Sequence, residues 1–153
     1  MQLSQVYLGL GEPALGELLK GISLGKLKTF QLYERLKLRL HLSKLNSETL
    51  RRSAIRLWPR LQEGDEDLAN ELGQAILISH MDMIMAVLDF LKLPHEEGFF
   101  AKDIDSTQYL TEGWQQRVFD EFKGKFPPQA LLFYVNHLGW EVAKSTEVFA
   151  PAA

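Results

Sequence analysis

The chain has 153 residues, of which 46% are hydrophobic and 24% charged, with no Cys and a formal net charge of −3. A chain of this length typically builds one core and buries about 70% of its unfolded surface. The composition therefore excludes a disordered polypeptide, and the lack of Cys excludes a disulfide scaffold, thiolate metal sites and sulfur redox chemistry.

The small net charge conceals a division along the chain. Residues 1–60 carry 11 Lys/Arg against 4 Asp/Glu, residues 61–113 carry 2 against 12, and residues 114–153 carry 4 of each. The sequence thus reads as a basic, an acidic and a neutral third. Leu outnumbers Val and Ile combined by about two to one, and Leu favours helices where the β-branched pair favours strands. The predicted class is all-α.

Met1–Leu10 lacks the basic start and unbroken apolar run of a secretory signal. Residues 1–12 read as an N-terminal arm, and the expected compartment is the cytoplasm. Gly9-x-Gly11-x-x-Ala14, preceded by a possible strand over Leu3–Leu8 and followed by Glu34, has the outline of a dinucleotide-binding turn. The helical pattern after Leu45 supplies none of the further strand-helix units that such a fold needs, so no cofactor is expected. Leu15, Leu18, Leu19 and Ile22 follow helical spacing after Pro13 and predict a first helix ending near Gly21. Gly21-x-Ser23-x-Gly25 spells a nucleophile elbow, but a helix precedes it where a strand is required, so Ser23 reads as a helix N-cap.

Within Leu24–Leu45, Leu36, Leu38, Leu40 and Leu42 alternate with Lys37, Arg39 and His41, which is the strand period. The surrounding helix formers favour a helix buried on two faces, with a strand over residues 36–42 as the alternative. Asn46-Ser47 opens the next helix, whose apolar face is Leu50, Ala54, Leu57, Trp58 and Leu61; Pro59 is expected to end or kink it. Arg52, Arg56 and Arg60, with Lys44 in the same row, form a cationic stripe on the other face. A short helix, a turn and an Arg-rich helix make the outline of a helix-turn-helix, in which such a stripe neutralises phosphates. Glu63, Asp65, Glu66 and Asp67 follow directly, and pairing within the chain is the simpler use of those arginines.

A long central helix is predicted from Glu66 to about Lys92, with Asp65, Glu66 and Asp67 at its positive end and Pro94 as its stop. Its apolar run is broken by His80, Asp82, Asp89 and Lys92, short of the roughly 20 apolar residues of a membrane span. His80 and Asp82 lie two apart and do not share a helix face. Buried polar groups need partners, so a structural role is expected for both, with acid/base chemistry in a pocket as the functional alternative. Met81, Met83 and Met85 suit either core filling or an adaptable partner surface.

Residues 94–105 have turn and acidic character, with Phe99-Phe100 placed as a partner or ligand contact. Asp103-x-Asp105-x-Thr107 begins like a calcium loop but has Gln108 and Trp114 where the loop requires Gly and Glu. His95-Glu96 begins a zincin spelling that Phe99 interrupts. Any metal site would have to be assembled without a motif, from His80, Asp82, His95, Glu96 and Asp103. Asp105 and Gln108 resemble a capping box ahead of a helix carrying Leu110, Trp114, Val118 and Phe122. Pro127-Pro128 opens a last helix with Leu131, Leu132, Val135 and Leu138, closed by Gly139, and residues 144–153 read as a loosely ordered tail.

The sum is a single all-α domain over residues 1–153, a bundle of five to seven helices around a central helix near residues 66–92. The expected function is a non-catalytic protein-interaction or scaffold module, bound to a protein partner or to a second copy of itself. Candidate contacts are Arg52, Arg56, Arg60, Met81, Met85, Phe99 and Phe100; His80, Asp82 and His95 are candidate polar groups of a pocket. The alternatives are a DNA-binding protein using the arginines of residues 47–60, and a small enzyme or metal-binding protein with a site near His80/His95. No catalytic residue, metal or membrane contact is assigned.

Overall fold

The computed structural model describes residues 2–29, 46–96, 98–100 and 105–152. The fold is all-α. Contacts gather the chain into two compact units, Gln2–Ser79 and His80–Ala153. The strand-or-helix question over residues 36–42 lies outside the described residues, as do Lys44 and Asp103.

The first unit opens with α1 (Leu3–Leu10), where the arm and possible strand were expected. Leu3, Val6 and Tyr7 are buried and fall at i, i+3, i+4, a helical period that the glycine pattern beside it obscured. Gln2 and Gln5 cap the helix reciprocally, the Gln2 amide donating to Gln5 Oε1 at 2.7 Å. Gly11, at φ +98°, turns the chain into α2 (Glu12–Lys20). No strand precedes the Gly9-x-Gly11 turn, so the dinucleotide outline has no structural basis.

Ser23 caps α3 (Leu24–Thr29), its hydroxyl accepting from the Lys26 amide at 3.3 Å. Asn46 caps α4 (Ser47–Arg52), accepting from the Thr49 amide at 2.9 Å. The expected single helix from Asn46 is divided at Ser53, whose hydroxyl donates back to the Thr49 carbonyl at 3.0 Å, and it resumes as α5 (Ala54–Gln62). Pro59 sits inside α5 and does not end it. Its missing N–H falls opposite the Ile55 carbonyl, on a residue whose side is open to solvent.

Asp65 caps α6 (Glu66–Ile78) by accepting from the Leu68 amide at 3.0 Å. Across the unit, the buried Tyr7 hydroxyl donates to the Ala69 carbonyl at 2.9 Å, and the Ser4 amide donates to Glu66 Oε1 at 3.0 Å. These bonds fix α1 against α6. The Lys26 ammonium donates to the Ile78 carbonyl at 2.8 Å, placing a cation at the negative end of α6.

The predicted helix over Glu66–Lys92 is two helices, α6 and α7 (Met81–Phe90). Ser79 supplies the reason for the break. Its hydroxyl donates back to the Ala75 carbonyl at 2.8 Å and accepts from the Ser23 amide at 2.8 Å, and such back-bonding competes with helix continuation. His80 then adopts non-helical angles, φ −131° and ψ 39°, and precedes the first turn of α7.

In the second unit, α7 buries Met83, Ile84, Val87 and Leu88. It ends at Phe90, and the chain turns away through Lys92, a non-glycine residue at φ 59°, with the Leu93 amide returning to the Leu88 carbonyl at 3.0 Å. A two-stranded antiparallel hairpin follows, β1 (His95–Glu96) with β2 (Phe99–Phe100), pairing His95 with Phe100 and Glu96 with Phe99. Its turn requires Gly98, whose φ is +93°. Asp105 caps only a single 3₁₀ turn, Ser106–Gln108, and not the long helix expected there. The helix α8 (Trp114–Phe122) begins after Gly113 in the left-handed region, where Arg117 folds back to the Glu112 carbonyl at 2.7 Å and Thr111 Oγ1 at 2.8 Å.

The last helix, α9 (Pro128–Glu141), passes through Gly139, which was expected to close it. A Cβ at Gly139 would stand 2.9 Å from Ser145 Oγ and 3.2 Å from Gln115 Nε2, so this glycine serves the close packing of α8 and the chain after α9. Residues 144–152 lack regular structure but are tied down. Asn136, buried on α9, accepts from the Phe149 amide at 2.7 Å and donates to the Phe149 carbonyl at 3.1 Å, and the Ala152 amide donates to Gln116 Oε1 at 2.9 Å. Among the described residues no single helix is long and apolar enough to cross a membrane.

Two substitutions test these ties. Tyr7→Phe removes the bond to a carbonyl that the α6 ladder also uses, so a loss of about 0.5–1.5 kcal/mol is expected in urea unfolding. Asn136→Ala removes three bonds, one of them to the Leu132 carbonyl, and strands the amide and carbonyl of Phe149. A loss of about 1–3 kcal/mol, with faster amide exchange at Phe149, is expected.

Candidate functional site

Helices α2 and α4 pack together along Gly16. A Cβ there would lie 3.4 Å from Arg51 Cγ. Beside this contact a groove of about 480 Å³ runs between α2 and the α4–α5 pair. Glu12 and Glu17 stand along α2, Arg51 and Arg52 along α4, and Pro13, Ala54 and Ile55 supply the apolar lining. Ile55 is 69% exposed, a large apolar side chain open to solvent.

The basic bank is organised by one carboxylate. Glu48, one turn earlier, pairs with Arg51 through both guanidinium Nη2 and Nε and lies 3.5 Å from Arg52 Nε. Hydrogen bonding from Arg51 holds the Glu48 carboxyl below its ordinary range. The Arg52 side chain is 70% exposed. Two guanidinium groups share one carboxylate, which leaves this bank positive opposite the two acids of α2.

The three arginines of the cationic stripe meet different fates. Arg52 lines the groove, Arg56 is exposed on α5, and Arg60 is salt-bridged to Asp65, Nη2 to Oδ2 at 2.6 Å and Nε to Oδ2 at 3.1 Å. The basic and acidic thirds thus meet at this pair, as the spacing from Arg60 to the acidic turn implied.

The other sequence candidates belong to the second unit. Met81 and Met85 are half-buried on α7, and a Cβ on Gly98 would come within 2.9 Å of Met81 Cε, so Met81 packs on the hairpin turn. Phe99 and Phe100 form β2. His80 is half-buried at the head of α7, whereas Asp82 is exposed in its first turn, where a carboxylate favours the helix dipole. His95, with 12% of its side chain exposed, bonds Asp89 Oδ1 through Nε2 at 2.7 Å and accepts the Gly98 amide on Nδ1 at 3.1 Å. No group of three or more His, Asp or Glu among the described residues is placed to hold a metal.

Sequence reasoning missed two features. The groove was hidden because Glu12 and Glu17 are distant in sequence from Arg51 and Arg52. On α9, Tyr134 and His137 place polar groups inside an apolar run. The Tyr134 hydroxyl and His137 Nδ1 are buried without a hydrogen-bond partner; Nδ1 lies 3.4 Å from Glu141 Oε2. Burial lowers the His137 pKa to about 4 and raises those of Tyr134 and Glu141.

Compared with models of known protein families, with curated proteins and with solved structures, the chain matches none.

The low folded-state value at His137 has a measurable consequence. The unfolded imidazole takes up its proton near 6.5 and the folded one near 4, so stability is fully present above pH 6.5 and falls as pH drops from there through 4. The loss approaches about 3 kcal/mol at the acid limit. Glu141 acts in the opposite sense, losing stability as pH rises through its raised pKa. Unfolding free energies measured from pH 7 to pH 4 are expected to fall more steeply for the wild type than for His137→Gln.

Proposed function

We propose that the chain is a non-catalytic helical module that binds another protein through the groove between α2 and the α4–α5 pair, acting in the cytoplasm. The observation that carries this reading is an exposed Ile55 lining a concave site that also holds two acids of α2 and two arginines of α4. A lone exposed apolar residue is ordinary on a protein surface; one set in a groove with opposed charges has the composition of an interface centre with a polar rim.

The energetics rank these parts. Covering a large aliphatic side chain contributes about 1.5–3 kcal/mol, whereas an exposed ion pair contributes about 0–1 kcal/mol. Ile55 is thus the anchor, and the two banks set orientation and association rate. The acidic bank also disfavours a polyanion in the same groove, and the salt bridge from Arg60 to Asp65 removes one cation from the stripe that a DNA-binding role would use.

Site-specific photocrosslinking tests the proposal in cells. A benzoylphenylalanine replacing Ile55 is expected to yield a covalent protein adduct, while the same probe replacing exposed Gln74 on α6 yields none. Absence of any protein adduct from position 55 overturns the reading.

A further inference from the structure

We infer that the partner of this groove is a second copy of the same chain, docked about a two-fold axis passing between Ile55 of one protomer and Ile55 of its partner. The inference rests on the reading of the groove as a protein-binding site and names its occupant.

A two-fold contact brings one patch against itself. A patch of single charge sign repels its own image, so most charged surfaces are excluded from such an arrangement. This groove is different because its charges are sorted by helix, with Glu12 and Glu17 on α2 and Arg51 and Arg52 on α4, and Ile55 of α5 in the same lining. Rotation by a half turn about an axis normal to the groove exchanges the banks. The acids of one protomer then face the arginines of the other, twice over, and each Ile55 covers its image.

The local pairing suits this exchange. Arg51 is held by Glu48 through two nitrogens, so that carboxylate is largely taken by Arg51. Arg52, largely exposed and 3.5 Å from the same carboxylate, can turn to a carboxylate of the partner. A foreign helix of one charge sign would match one bank and oppose the other, whereas the chain itself matches both.

Sedimentation equilibrium of the full chain over a range of concentrations tests the inference. The wild type is expected to show a reversible monomer–dimer equilibrium that weakens with added salt. Ile55→Glu is expected to weaken it by about 100-fold, roughly tenfold for each of the two side chains lost from the contact. The decisive arm is a charge exchange. Glu12→Lys/Glu17→Lys makes both banks basic and Arg51→Glu/Arg52→Glu makes both acidic; each variant alone is expected to be monomeric, and an equimolar mixture to form a heterodimer.

Helical circular dichroism and a melting temperature near that of the wild type establish that the variants fold. Should a double variant fail to fold, the single changes Glu12→Lys and Arg52→Glu carry the same exchange. A wild type that is monomeric at every concentration overturns the second copy as occupant, while a foreign adduct at position 55 still upholds the groove. A dimer indifferent to Ile55→Glu and to the charge exchange overturns the inference, because association then uses another face.

Discussion

Helices α2 and α4 pack along Gly16, where a Cβ would stand in ordinary contact with the stem of Arg51, 3.4 Å away. Leu15 and Leu19 of α2 and Leu50 of α4 are all buried. The same closeness sets an acidic helix edge beside a basic one. The groove, lined by the acids of α2, the arginines of α4 and the exposed Ile55, runs beside this contact.

The polar groups inside the two units show two ways of treating a buried donor or acceptor. In the first unit several are matched across helices, Tyr7 to the Ala69 carbonyl, Ser4 to Glu66 Oε1 and Lys26 to the end of α6, while Glu66 Oε2 is buried without a hydrogen bond. In the second, Asn136 is matched in full, whereas its neighbours Tyr134 and His137 have buried atoms without hydrogen bonds. Such unmatched atoms cost free energy in a low-dielectric interior. The burial that keeps His137 neutral there is the same burial that makes its charging unfavourable.

Much of the fold is legible in local chemistry. The Leu-rich composition gives the class, and Ser23, Asn46 and Asp65 mark helix starts because a short polar side chain accepts from an amide within the next turn. What local chemistry cannot show is the effect of a distant partner. Ser79 carries no strong breaking signal, and the helix ends there because the Ser23 amide meets its hydroxyl. Gly139 looks like a stop and is a packing site, since Ser145 and Gln115 crowd it. In α1, two glycines drew attention from the spacing of Leu3, Val6 and Tyr7. The hairpin at His95–Phe100 rests on two residues per strand and one left-handed glycine, too short for periodicity to register. The candidate site follows the same rule: Arg52 could be named from its stripe, but its opposing acids could be found only in three dimensions.

The two hydrogen bonds of His95 have a chemical consequence for the ring itself. Because Nδ1 accepts from the Gly98 amide, its lone pair is occupied and the proton resides on Nε2, directed at Asp89. The hairpin therefore fixes the orientation of the ring. Through these two bonds the imidazole acts as a clasp between the end of α7 and the turn that follows it.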